Sequence, residues 1–403
     1  MKLFQKLLLA PAALGLFAPV VANANESNFR AVTNYTQDTV EVSLDTFKPL
    51  SSKNPLLAGG EGASSSQSNN DFSADSFSAT TLAQFTSNFA LATIDGESAA
   101  GANLDQEMAM NFDWEVALST SFTGNDSLDV VMNAGVSALF PELDMTNSAG
   151  AQVMIDTVTY TNALSDRVTA FFATGNGTSG STLFNTACVY GGVATTFGDC
   201  GVSAANVDEG LGSAVGASFA FDNGLSFALG YEGQGLASGE VGLLSTNGAD
   251  AFGAQVSYYG DSYGVSVSFA NIDNHSNANV RSAGQTQSTG VNAFYAPDLN
   301  NFPAVSVGFE SNHDNNVTTT HNDETSHYFV GLQWDEVGDG TLGAAIGSKE
   351  PTAENTDAQT MYEVFYTYNY ADGITLTPFY YNKDNTGTTE SETGIGVKTE
   401  FSF

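Results

Sequence analysis

Two groups of side chains in this sequence have residue types and spacing that could do chemistry. The first is a pair of cysteines, Cys188 and Cys200, which are the only cysteines in the chain. They stand twelve positions apart in the longest predicted loop. In an oxidising compartment such a pair forms a disulfide. We therefore expect a Cys188–Cys200 bridge that closes this loop, at a modest conformational cost.

The second group consists of histidines that lie near carboxylates. Three of the four histidines are close in sequence and acids accompany them: His313, His321 and His327, with Asp314, Asp323 and Glu324. Imidazole and carboxylate groups together can bind a divalent metal. The spacing matches no compact ligand motif, however, and the fourth histidine, His275, stands apart. We expect all four in solvated outer loops, with the three clustered ones as weak metal candidates.

The rest of the chain lacks the motifs of a hydrolytic enzyme. No nucleophile of the Gly-x-Ser-x-Gly type stands where a strand turns into a helix. We therefore predict no enzymatic activity and no cofactor.

The N-terminus has the order of charges and apolar residues that is typical of a secretory signal peptide. Lys2 and Lys6 precede an apolar stretch from Leu7 to Val21, and the small residues Ala22-Asn23-Ala24 follow. We expect cleavage after Ala24. A membrane anchor is the alternative, but the stretch is short for a spanning helix and contains two prolines.

Composition favours an all-β chain with an acidic surface. The net charge is −35, so nucleic acid and anionic lipid headgroups are poor partners. Glycine is abundant at 41, proline is scarce at 9, and 28 phenylalanines and 15 tyrosines suit half-buried strands. No apolar stretch after Val21 approaches the roughly 20 residues of a spanning helix, so any insertion into a membrane requires a closed barrel.

Alternation of side chains from about position 77 onward supports such a barrel. In 225–231 the odd positions are large and apolar while the even positions are small, and 263–269 and 394–403 behave similarly. The last segment directs Lys398 and Glu400 to the face opposite its apolar residues, which a water-filled lumen accepts and a dry sandwich core does not. By the same alternation, Glu363 is a candidate pore-lining residue. Tyrosines between 362 and 370 and the rings at 379–381 predict an aromatic girdle.

Connection lengths alternate as well, between tight turns and long polar loops. Counting strands through this pattern gives sixteen, with fourteen to eighteen acceptable, short periplasmic turns and both chain ends on the periplasmic side. About sixteen strands enclose an aqueous channel. We divide the chain into a signal peptide (1–24), a polar Gly/Ser-rich segment or linker (25–76) and an outer-membrane β-barrel (77–403). The cysteine loop then either folds inward to narrow the pore or remains outside as a stiffened loop.

Three segments resemble the cyanobacterial outer-membrane porins, a family of the carbohydrate-selective type. They are the leader 1–16, the segment Leu118 to Gly124, and the closing segments 377–381 and 393–399. The resemblance implies passive passage of inorganic ions, iron among the candidates, and of small organic solutes such as sugars. Members usually carry an S-layer-homology domain between leader and barrel. Residues 25–76 show no Tyr-Pro or Asp-Trp-Ala element of that domain, so anchoring to the cell wall is not expected.

The expected function is therefore a mildly cation-preferring diffusion pore in the cell outer membrane, in contact with outer-membrane lipid and small hydrophilic solutes. A homotrimer is expected by analogy with other sixteen-stranded porins. Two alternatives stay open: a non-conducting surface adhesin or structural barrel, and a soluble secreted β-protein.

Overall fold

The structure, a computed structural model, describes residues 81–97, 107–137, 140, 142–146, 148–234, 243–244, 248–273, 284–299, 302–315, 322–351, 357–385 and 391–403. The predicted signal peptide (1–24), the polar segment (25–76), His275 and His321 lie outside the described residues.

Sixteen antiparallel strands form one closed barrel, in which each strand pairs with its neighbours in sequence and β1 pairs with β16. The strands are β1 (Thr81–Asp95), β2 (Ala109–Thr120), β3 (Asp126–Val136), β4 (Met154–Ala163), β5 (Val168–Gly175), β6 (Ser213–Ala220), β7 (Leu225–Gly233), β8 (Asp250–Tyr259), β9 (Tyr263–Asp273), β10 (Gln285–Tyr295), β11 (Ala304–Asp314), β12 (Glu324–Val337), β13 (Gly340–Lys349), β14 (Gln359–Ala371), β15 (Ile374–Lys383) and β16 (Glu392–Ser402). The predicted fold class and strand count are confirmed.

The predicted alternation holds along the strands. In β9 the side chains of Val265, Val267 and Phe269 are exposed on the outside of the barrel, while Ser266 and Ser268 between them are buried inside. Successive side chains of a strand point to opposite faces, so one face of each strand is apolar and the other mostly polar. This arrangement provides an apolar outer wall around a polar interior.

Short turns and long loops lie at opposite ends of the barrel. The short end includes the turn at Asp372 and Gly373, where Gly373 has a φ of 73° and so provides the left-handed backbone that the tight turn requires. The turn between β2 and β3 is closed by Asp126, whose carboxylate accepts hydrogen bonds from the Phe122 and Thr123 amides at 2.9 and 2.7 Å. Strand β1 begins and β16 ends at this same end, as the sequence predicts. Among the described residues, no helix has the length and apolar character needed to span a membrane.

Several large apolar side chains face inward, which the sequence analysis did not anticipate. Phe329, Phe365, Phe379 and Tyr381 belong to one buried cluster inside the barrel. The prediction that Phe379 and Tyr381 belong to an external girdle is wrong, because both side chains are on the inner face of β15, whereas Tyr380 between them is exposed outside. The long connection between β5 and β6 packs on this apolar cluster from inside the barrel and shields it.

Candidate functional site

The connection between β5 and β6, residues 176–212 and here called the inner loop, folds into the barrel and lies against its inner wall. Its 3-10 turns, Thr195–Gly201 and Ala204–Asn206, contact β8 to β12. Phe197 packs on Phe329 with ring centroids 5.2 Å apart, and Tyr190 packs on Phe329 and Phe365. Of the two alternatives that the sequence leaves open for this loop, the structure shows the inward one.

A regular set of hydrogen bonds holds the segment 185–194 across successive strands. Every second backbone amide donates to a polar side chain of the wall: Asn185 to Gln255 at 2.5 Å, Ala187 to Ser266 at 2.9 Å, Val189 to Ser306 at 3.1 Å and Gly191 to Gln333 at 3.0 Å. These acceptors belong to β8, β9, β11 and β12. The loop therefore runs as an extended ribbon around the inside of the barrel.

Glu363 on β14 ends this series and is its charged member. Its carboxylate accepts hydrogen bonds from the Tyr190 hydroxyl at 2.8 Å and from the Ala194 and Val193 amides at 3.0 and 3.3 Å. Burial, together with the adjacent carboxylate, raises the pKa of Tyr190 far above its usual range, so its hydroxyl stays protonated and donates. Glu363 does face inward as predicted, but it is only 2% exposed because the inner loop covers it. Its contacts assign it to holding the loop.

The second half of the inner loop is held by two further acids and by the disulfide. The Ala205 amide donates to Glu310 on β11 at 2.9 Å, and the Glu209 amide donates to Glu232 on β7 at 2.7 Å. Cys188 and Cys200 are bridged, with Cα atoms 6.0 Å apart, so the disulfide fastens the ribbon to the turn Thr195–Gly201.

Asp199 lies within this turn, and its burial there perturbs its ionisation. Desolvation raises the pKa of its carboxyl to about 6, and the charges of Asp208 and Glu310 add to the rise while the Asn206 amide opposes it. Asn206 donates to the Asp199 carboxyl at 3.1 Å, and Asn292 on β10 donates to the Asp199 backbone oxygen at 2.9 Å. The docked position of the loop is thus linked to protonation of Asp199.

The β3–β4 loop, residues 137–153, meets the inner loop from the other side. Its Glu142 accepts a hydrogen bond from Lys383 at 2.5 Å and from the Thr196 hydroxyl at 2.8 Å, and its backbone oxygen accepts from the Thr195 amide at 2.9 Å. Burial alone would raise the pKa of Glu142, but the Lys383 ammonium and these hydrogen bonds lower it below its usual range. Glu142 therefore stays ionised and joins the two loops to β15.

Two spaces inside the barrel are lined by polar side chains. One, of about 500 Å³, lies between the inner loop and the ends of β13 to β15, with Asp199, Asp208, Lys349 and Lys383 among its lining residues. The other, of about 330 Å³, lies against β1 to β4 and is lined almost entirely by polar and acidic residues. The inner loop contacts the wall from β7 to β14, and the two spaces are the parts of the interior that the loop does not fill.

The other two predicted pore-lining residues, Lys398 and Glu400, lie on the inward face of β16 and are half-buried. In the β1–β16 ladder Lys398 pairs with Ala90 and Glu400 pairs with Asn88, so Glu400 has a polar neighbour on β1. Neither residue contacts the inner loop through a described hydrogen bond or ion pair.

The predicted placement of the histidines in outer loops is wrong for the two that the structure describes. His313 is in β11 with an outward side chain, 3.9 Å from Glu324, and His327 is in β12 with an inward one, its Nδ1 3.1 Å from Glu310. The two rings therefore lie on opposite faces of the wall and cannot share an ion. Within the described ranges, no group of three His, Cys, Asp or Glu residues is placed to hold a metal.

The wall residues that hold the inner loop were missed because each of them is an ordinary inward-facing polar residue in the sequence. Gln255, Ser266, Ser306 and Gln333 alternate with apolar neighbours as any lumen residue does. The feature of the sequence that could have indicated an inward loop is the presence of large apolar side chains at inward positions, because such side chains are unfavourable next to water.

Known structures agree with this architecture. Two mutants of the Rh. blastica porin, 13% and 14% identical in sequence, align over 80% of this chain and 100% of their own, each with a TM-score of 0.51. The chain has the porin fold. A triple mutant of the Rhodopseudomonas blastica porin aligns over the same shares at 13% identity, with a TM-score of 0.50. No protein-family model and no curated protein matches the chain.

Seen as a porin fold, the candidate site is the passage between the inner loop and the β1–β4 wall. The loop is held to one side of the interior by its hydrogen bonds to the wall, by Glu363 and by the joint at Glu142.

Proposed function

We propose that this protein is an outer-membrane porin through which small hydrophilic solutes diffuse passively. The observation that carries the proposal is the closed sixteen-stranded barrel with an apolar outside and a polar inside. Barrels of this strand number are too wide for side chains to fill and hold water. The long loops would face outward and the short turns the periplasm.

The inner loop would set the width of the pore. It occupies the side of the lumen next to β7 to β14, so solutes would pass along the β1–β4 side and β16. Its hydrogen bonds to the wall hold it in one position, which is consistent with a pore that stays open. Lys398 and Glu400 on β16 would line this passage.

Charge favours cations in this passage. The β1–β4 wall carries Asp113, Glu115 and Asp156, and the β3–β4 loop adds Asp144. Lys383, by contrast, is neutralised by Glu142. Acidic rings concentrate cations and repel anions. We propose a mild cation preference, weakened at high salt by screening.

The finer features of the proposal rest on the sequence. The leader and the C-terminal segments resemble those of cyanobacterial porins of the carbohydrate-selective type, which supports inorganic ions, iron among them, and sugars as solutes. The predicted signal peptide (1–24) supports export, and the apolar outer wall supports contact with outer-membrane lipid. A homotrimer is proposed by analogy with other sixteen-stranded porins.

The proposal is tested by measuring which solutes enter liposomes that contain the purified protein. Uptake of small sugars should fall with solute size, and a potassium chloride gradient should give a reversal potential of the sign expected for cation preference. The double change Glu115→Gln and Asp156→Asn should shift the potential toward zero. Liposomes that admit neither ions nor sugars would instead support a non-conducting adhesin, and a reversal potential of anion sign would contradict the proposed charge selectivity.

A further inference from the structure

The cavity of about 330 Å³ against β1 to β4 combines acids with neutral acceptors in one ordered arrangement. Asn88 on β1 is paired across the ladder with Asp113 on β2, and Glu115 on β2 is paired with Asn133 on β3. Paired side chains on one face of a sheet lie about 5 Å apart. These four residues therefore form a compact oxygen-bearing patch on the lumen side.

Two additional carboxylates are brought to this patch by irregular backbone. Asp156 is the extra residue at a β-bulge in β4, between Ile155 and Thr157, which pair with consecutive residues of β3. A bulge redirects a side chain that regular pairing would place elsewhere, and Asp156 lines the cavity. Asp144 comes from the β3–β4 loop, which is held there by a hydrogen bond from the Thr146 amide to Asp113 at 2.8 Å.

Acceptor oxygens in the patch have no hydrogen-bond donor among the described protein atoms. They are Oδ1 of Asn88, Oδ1 of Asp113 and Oδ1 of Asn133. Asp113 and Asn133 are each only 6% exposed, and both line the cavity. A buried acceptor without a donor costs about 1–3 kcal/mol. The patch is thus able to accept hydrogen bonds from water or from a hydrated ligand, and its four carboxylates favour a ligand of positive charge.

The geometry also limits how the positive charge can be held. No three His, Cys, Asp or Glu residues of the described chain are placed to coordinate one ion directly. No lysine, arginine or histidine lines the cavity. Small divalent cations such as Mg²⁺ lose water reluctantly and are often bound through their water shell. Six waters occupy roughly 180 Å³ at about 30 Å³ each, which the cavity accommodates.

We propose that the β1–β4 cavity is a binding subsite for a hydrated divalent cation, held through hydrogen bonds from its water shell to Asn88, Asp113, Glu115 and Asn133. As a step on the permeation path, this subsite rests on the proposed porin function. It assigns hydrated divalent cations as a solute class that the pore retains and passes.

The subsite is tested by calorimetric binding to the purified full-length barrel in detergent at low salt. The probes are Mg²⁺ and hexaamminecobalt(III), a cation whose ligands do not exchange and which can bind only through its outer donors. We expect one hexaamminecobalt(III) per barrel, displaced by Mg²⁺. Glu115→Gln should weaken binding about tenfold or more because it removes a nearby charge. Asn133→Ala should weaken it about threefold at unchanged charge because it removes an acceptor.

The matched control is Asp335→Asn, which removes a carboxylate that is hydrogen-bonded to Gln333 on β12, outside the β1–β4 wall. It should change affinity by less than about twofold, since this charge is more distant from the patch and more screened. Migration of heated and unheated samples on gels verifies that each variant is folded. An equal loss in Asp335→Asn, no binding of either probe, or binding of the linear polyamine spermidine alone would overturn the proposal. Binding in detergent without channel activity would refute the porin function and leave the subsite standing, whereas channel activity without binding would refute the subsite alone.

Discussion

Glu363→Met should loosen the inner loop without unfolding the barrel. Methionine has nearly the length of glutamate but no oxygen that accepts hydrogen bonds. It cannot replace the carboxylate that now accepts from the amides of Val193 and Ala194 at 3.3 and 3.0 Å. Two buried amides therefore lose their acceptor, while the strand pairing of β14 with β13 and β15 is untouched.

The size of the effect follows from the kind of hydrogen bond that is lost. Bonds to a charged acceptor contribute about 1.5–3 kcal/mol each, so two of them amount to roughly 3 kcal/mol at the lower bound. That corresponds to an increase on the order of a hundredfold in the population with the loop undocked. Ser306→Ala removes one neutral acceptor, that of the Val189 amide at 3.1 Å. It should cost only about 1 kcal/mol.

Amide hydrogen exchange followed by mass spectrometry measures this directly. Peptides covering 185–206 should exchange on the order of a hundredfold faster in Glu363→Met, and several-fold faster in Ser306→Ala, while strand peptides are unchanged. In planar bilayers Glu363→Met should also show noisier open-channel current. Unchanged exchange in Glu363→Met, or a larger effect in Ser306→Ala, would refute the role that we assign to this carboxylate.

Three further predictions concern the disulfide, pH and the two faces of the wall. Replacing Cys188 and Cys200 with serine should remove about 3 kcal/mol of loop stabilisation and speed exchange of the inner loop, with the barrel still resistant to detergent on unheated gels; slow exchange would show that the bridge is dispensable. The pKa of Asp199 in the docked loop, about 6, lies above its ordinary value of about 4. Its stabilisation of the docked loop is therefore complete below about pH 4 and is lost as the pH rises through about 6. Exchange of the inner loop, corrected for its intrinsic pH dependence, should accelerate over this interval in the unaltered protein but not in Asp199→Asn. Phe89→Lys, on the outward face at the middle of β1, should destabilise the barrel in lipid vesicles by about 2–4 kcal/mol. Asn88→Lys, one residue away on the inward face, should destabilise it by less than about 1 kcal/mol. Equal urea unfolding midpoints for the two variants would argue against lipid on the outside.

The sequence was sufficient to predict the barrel because lipid and water impose opposite demands on alternate residues. In β9, Val265 and Val267 alternate with Ser266 and Ser268, and this period of two is visible without any partner strand. Turn residues such as Asp372 and Gly373 then fix where strands reverse. Strand count and connection lengths follow from these local features alone.

The position of the inner loop could not be predicted in the same way, because its contacts join residues far apart in the chain. The Val193 amide and its acceptor Glu363 are 170 positions apart. Alternation correctly placed Glu363 on the inward face but could not show what covers it. The strands next to the histidines extend slightly further than predicted, since β11 reaches Asp314 and β12 begins at Glu324. Polar residues near strand ends carry little alternation, so the pattern fades before the strand does.

The measurement that tests the proposed porin most directly is single-channel recording of the purified protein in a planar lipid bilayer. We predict stepwise, long-lived conductance increments that grow with the concentration of salt, as expected for a water-filled barrel held open beside a docked loop. Insertion into the bilayer with no conductance at any salt concentration would contradict an open pore, and a protein that stays soluble without detergent would contradict the membrane barrel itself.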